Sequence, residues 1–219
     1  SDSPETEAAP ATAATAATAT FRRVVVLLCD GLGAGALADA AEYGHRGVDT
    51  IGHVATYTGG MELPFLQWLG LGNAHPAQGL EPSSPPAASF GRIARLGPGV
   101  DIPGALSEMF GGVLSELVGA QTQVLGIGGV VEHLDESSST GRVDARGPAA
   151  VIRTAIQAMN ALSTGVVVAS VGAPDGRPAG SNGPVGVARM LQRLDGQLPA
   201  LLDAMTEESL LILTSTGGA

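Results

Sequence analysis

The run Val24 to Cys29, "VVVLLC", is apolar at every position and rich in valine, and Asp30 and Gly31 end it. Strict alternation of apolar and polar residues would mark a strand wet on one face. A continuous apolar run marks a strand buried on both faces, as in a parallel sheet covered by helices. A chain containing such a strand must supply helices for both sides of it. Comparable runs recur at Thr122 to Gly128, Thr164 to Gly172 and Ser209 to Thr216. Helical patterns lie between them, from Pro103 to Ala120, Gly147 to Leu162 and Pro184 to Met205; the last two space their apolar residues at the helical period and open near a Pro or Gly. Strand and helix alternate, which predicts an α/β three-layer sandwich with a mostly parallel central sheet flanked by helices.

The 219 residues are enough for one substantial core. Residues 1–20 are an Ala/Thr-rich segment with an acidic start and nothing large to bury, so they read as a flexible tail, and 21–219 as a single domain. That tail has neither the basic start nor the Leu-rich centre of a secretory signal. The pro- and serine-rich stretch from Asn73 to Ser89 and the segment "DESSSTGR" from Asp135 read as surface connections. A formal charge of −10, with all 11 basic residues arginine, leaves no positive field for nucleic acid. The arginines look scattered along the sequence, with no cluster to clamp a phosphate. The early apolar run is far short of the roughly 20 residues needed to cross a bilayer, so no membrane span is expected. Cys29, the single cysteine, reads as a small buried hydrophobe, and a cytoplasmic location is the default.

Asp30 and the glycines after it admit three readings. Gly31, Gly33 and Ala36 form a G-x-G-x-x-A pattern, which at a strand-to-helix turn would cradle a dinucleotide pyrophosphate. That fingerprint calls for a second strand with an acid at its end, and no apolar run precedes Asp49. Alternatively, Asp30 is a metal ligand at the carboxyl end of a central strand, where α/β sheets place their sites. The plainest reading is an Asp-Gly turn whose acid caps a helix.

A longer pattern bears on the choice. The segment from Phe21 to Asn73, with Asp30 at a strand end, "DTIGH" at Asp49 to His53 and "LGLGN" at Leu69 to Asn73, resembles the N-terminal part of phosphopentomutases, metal-dependent members of the alkaline phosphatase superfamily. The resemblance resumes at "TQVLGIGGVVEHLD" and runs through "QRLDGQLPALLDAMTEESLLILTS". It implies an alkaline-phosphatase-like core and puts Asp30 at the position of a family metal ligand.

The resemblance also implies a pair of divalent ions, typically manganese, and a threonine that carries the phosphate in transit. Clustered carboxylates and imidazoles holding two ions would stabilise charge on an in-line phosphoryl group. Laid on the family without gaps, Gly79 to Gly111 puts Asp101 on the aspartate before that threonine and Ile102 on the threonine itself. Isoleucine has no oxygen to phosphorylate, and Ala105 and Leu106 stand where Gly-His follows. Asp175 falls on a second ligand position, but Gly180 replaces the histidine five residues on, and Thr216 and Gly217 replace a later Asp-His pair. The family's inserted cap domain finds no room between Ala120 and Thr122.

These substitutions predict vestigial metal positions at Asp30 and Asp175, a further candidate at Asp101, and no catalytic residue. His53 belongs to a structural motif of the family, and His45, His75 and His133 read as solvated or capping residues. No cofactor is expected beyond weakly held Mg²⁺ or Mn²⁺. The expected function is a degenerate, capless phosphopentomutase-like protein kept as a structural, binding or regulatory module, with a protein partner or a second copy. The alternative is a metal-dependent phosphoryl-transfer enzyme, mutase or phosphatase, working with a reduced site.

Overall fold

The computed structural model describes residues 21–37, 40–42, 44, 47–94, 102–172 and 183–215. Five strands form one sheet: β1 (Arg23–Cys29), β2 (Gln123–Gly128), β3 (Gly141–Val143), β4 (Gly165–Val171) and β5 (Ser209–Thr214), in the order β3-β2-β4-β1-β5. Every pairing is parallel. The helices are α1 (Thr50–Thr58), α2 (Pro64–Leu69), α3 (Leu71–Ala74), α4 (Ile102–Phe110), α5 (Val113–Gly119), α6 (Pro148–Ala161), α7 (Gly183–Asp195) and α8 (Leu198–Asp203).

The apolar run predicted to be buried on both sides is β1, an interior strand flanked by β4 and β5. Val25, Leu27 and Cys29 point into the larger core, which they share with Ile51 and Val54 of α1, Val151 and Ile152 of α6, and Leu191 and Leu194 of α7. Val26 and Leu28 point the other way, into a smaller core with Leu106 of α4 and Leu114 of α5. Successive side chains of a strand face opposite sides, so an all-apolar run requires both helical layers. This is the three-layer alkaline-phosphatase-like architecture. Among the described residues no helix is long and apolar enough to cross a membrane.

Three expectations about elements need correction. The pattern from Pro103 to Ala120 is two helices, α4 and α5, because Gly111 and Gly112 stand between them and glycine is a poor helix former. The pattern from Pro184 to Met205 breaks in the same way into α7 and α8: Pro199 lacks an N–H and fits only the first turn of a new helix. The segment "DESSSTGR" is not wholly a connection, since Gly141 and Arg142 belong to β3 and pair with Leu125 and Gly126 of β2. Three residues, 120–122, join α5 to β2.

Candidate functional site

The carboxyl ends of β1 and β4 lie side by side in register, Leu28 against Ser170 and Cys29 against Val171. Asp30 follows directly and its N–H donates to the Val171 carbonyl at 2.9 Å, which fixes the residue at the strand end. Gly31 turns the chain with φ +86°, and a Cβ there would stand 2.7 Å from Val187 Cγ1 of α7. Only glycine combines that dihedral with that approach. Across from Asp30, Gly172 leaves space for the carboxylate: a Cβ at that position would be 2.6 Å from Asp30 Oδ2. Burial pushes the Asp30 carboxyl above the usual carboxylate range. Beside it, the Ser170 hydroxyl accepts the Val130 N–H at 2.7 Å and holds the short 3-10 turn Gly129–Glu132 against the strand ends.

The glycine loop does not have the geometry of a dinucleotide cradle. Residues 31–37 are not helical, and among the described residues the first helix starts at Thr50. The Gly33 carbonyl accepts from the Ile51 N–H at 3.1 Å, so the loop is tied to the start of α1. The pattern Gly31, Gly33, Ala36 therefore serves the turn after β1.

A second pair anchors the same loop. Asp49 is the N-cap of α1, accepting from the Gly52 N–H at 3.1 Å, and His75 at the end of α3 sets its Nε2 2.9 Å from both Asp49 oxygens. Partial burial pushes the Asp49 carboxyl up, but the Gly52 N–H, His75 and the Gly35 N–H together outweigh it and hold the acid below its ordinary value. Arg92 closes over the loop, donating to the Ala34 carbonyl at 2.8 Å. His75 is thus neither merely solvated nor a simple cap; it completes an imidazole–carboxylate lock under the loop that carries Asp30's neighbours. His53 is exposed on α1, and His133 closes the 3-10 turn.

Among the described residues there is no group of three or more His, Cys, Asp or Glu side chains that could hold a metal ion. Asp101, Asp175 and His45 lie outside the described residues, as do Thr216 and Gly217. Ile102 is the first residue of α4 and its side chain is 41% exposed. Cys29 is fully buried, and burial raises its thiol far above the range in which a thiolate forms.

A sequence profile of the Metalloenzyme superfamily matches residues 22–216. The chain belongs to the Metalloenzyme superfamily. Within it, the chain is phosphopentomutase-like: it is 42% identical over 94 residues to the phosphopentomutase of Desulfitobacterium hafniense (strain DSM 10664 / DCB-2), a match covering 43% of this chain and 24% of that protein. It is 44% identical over 95 residues to the phosphopentomutase of Anaeromyxobacter dehalogenans (strain 2CP-C), covering 43% of this chain and 24% of that protein. The phosphopentomutase of Symbiobacterium thermophilum is 42% identical over 93 residues, with 42% and 24% covered. The matches thus span about a quarter of the length of these relatives. The superfamily match runs over all five strands, so the sheet whose carboxyl edge carries Asp30 is the superfamily's sheet.

The arginines are less scattered than the sequence suggests. Arg146 on the connection to α6, Arg153 on α6 and Arg193 on α7 line one open cleft of about 500 Å³ on the outer surface of the helical layer. No sequence spacing relates them, because the cleft forms only when α6 and α7 lie side by side on the sheet.

Proposed function

We propose that this chain is a phosphopentomutase-like core without mutase turnover, acting as a structural or regulatory binding module on a protein partner or a second copy of itself in the cytoplasm. The observation that carries this reading is Ile102. Relay of a phosphoryl group through the protein requires a side-chain oxygen or other nucleophile at the relay position, and an isoleucine supplies none. The test is ribose 1-phosphate to ribose 5-phosphate conversion by the purified chain with Mn²⁺ supplied. No conversion above the protein-free rate is the expected result. Turnover that disappears in Asp30→Asn would overturn the reading.

A second reading rests on Asp30 itself. A partly buried carboxyl at the carboxyl end of the interior strand β1, with no cation among its described neighbours, suits one loosely held Mg²⁺ or Mn²⁺, completed by water and by Asp101 or Asp175, and a slow phosphatase activity. Metal content after equilibration and removal of free ion separates the two readings. About one ion per chain, lost in Asp30→Asn and Asp175→Asn, favours the enzyme; none favours the binding module.

A further inference from the structure

From the cleft between α6 and α7 we infer a binding site for small molecules that carry a diphosphate or longer phosphate chain. The protein bears a net charge of −10, yet three of its 11 positive side chains converge on this one depression. Among the described residues the side chains of Arg153 and Arg193 have no hydrogen-bond or ion-pair partner, which leaves their guanidinium donors for a ligand. Among the described residues Arg146 is engaged only by Asp144 of the preceding loop, through exposed contacts of 3.4 Å that water already weakens. A planar guanidinium donates two parallel hydrogen bonds to a phosphate, and three of them lining one cleft match charge spread over more than one phosphate.

The remaining lining sets the kind of molecule. Gln192 and Gln197 add amide donors and acceptors that suit hydroxyls or a heterocycle edge. Pro148, Ala149 and Ala150 add small apolar surface against which a ring could pack. A volume of about 500 Å³ lies within the range of small-molecule sites and suits a molecule of nucleotide size. None of the lining residues touches Asp30, Asp49 or His75, so the site is separate from the strand-end carboxylate and does not rest on the proposed loss of turnover.

The experiment is calorimetric titration of the full chain with pyrophosphate, ADP and orthophosphate, with EDTA present so that no ion at Asp30 can bridge a phosphate. Saturable binding of pyrophosphate or ADP is expected, with orthophosphate at least about tenfold weaker, and with affinity falling as salt rises. Arg153→Ala and Arg193→Ala should each weaken binding about tenfold or more, while Asp30→Asn leaves it unchanged. Both arginines are exposed, so their removal leaves the core packing alone, and a matching thermal melt confirms it. Absence of saturation at millimolar ligand, equal affinity for orthophosphate, or unchanged binding in the Arg153→Ala/Arg193→Ala double variant would overturn the assignment.

Discussion

His75 Nε2 lies 2.9 Å from each carboxylate oxygen of Asp49, joining the end of α3 to the start of α1. The same carboxylate caps α1 through the Gly52 N–H, so one acid serves a helix terminus and a tertiary contact. Asp49→Ala should destabilise the fold by about 1–2 kcal/mol through the lost cap and pair. His75→Ala, which leaves the cap in place, should cost about 0.5–1 kcal/mol because the pair is partly exposed. Urea denaturation at neutral pH measures both.

The acid limb of stability should report the same residue. The folded Asp49 carboxyl sits below its ordinary value, so its contribution is complete above the ordinary carboxylate range and is lost as pH falls through the lower folded value. Asp49→Asn should flatten that part of the profile. A denaturation series from pH 6 downward, wild type against variant, checks it; identical slopes would remove Asp49 as the cause.

Asp195 gives the opposite sign. At the end of α7 this buried acid accepts the N–H groups of Phe65 at 3.1 Å and Leu66 at 2.7 Å, capping α2 from a distant helix where Leu63 offers no side-chain bond. Burial outweighs those two bonds and raises its carboxyl. Its favourable contribution is therefore full below the ordinary carboxylate range and declines as pH rises through the higher folded value. Asp195→Ala leaves two N–H groups without an acceptor and should cost about 1–3 kcal/mol. Asp195→Asn should cost less and remove the decline, measured by the same denaturation series.

Gly172 and Asp30 should be energetically coupled. Gly172→Ala drives its methyl into the Asp30 carboxylate and should destabilise by about 1–3 kcal/mol. In an Asp30→Gly background the obstruction is gone and the cost should shrink by about 1 kcal/mol or more in a double-mutant cycle. Additive effects would mean that the two residues do not share that space.

Cys29 should be silent to thiol reagents in the folded protein. It is fully buried and its thiol resists ionisation, so labelling should proceed only through opening of β1. Colorimetric thiol titration should give no reaction under native conditions and one thiol per chain in denaturant.

Much of the fold was legible because the signal was local. Val24 to Cys29 announces a strand buried on both faces by composition alone, and β4 repeats it. β3 carries no such signal: of Gly141, Arg142 and Val143 only the valine is apolar, and the strand exists by pairing with β2 and by Arg142 donating to the Leu134 carbonyl at 2.9 Å. The helix spanning Gly111 and Gly112 looked continuous because the apolar spacing continues across the break. At the site, Asp30 was legible from its place after a strand. The His75–Asp49 pair was not, since it joins residues 26 apart whose meeting depends on how α3 ends. The arginine cleft belongs to the same class, as its members come together only through the packing of two helices.

The position of β1 has a consequence for how the chain reaches this state. It is the first strand in sequence and the middle of the sheet's apolar centre, yet both its neighbours, β4 and β5, are the last two described strands. A nascent chain therefore carries "RVVVLLC" with both backbone edges open until Gly165–Val171 and then Ser209–Thr214 emerge. Such high contact order slows folding, and an unpaired apolar strand invites association with other chains. In a cell, the yield of this protein should depend on how long that strand is shielded, and hence on holding chaperones and translation speed, more than on the stability of the finished sheet.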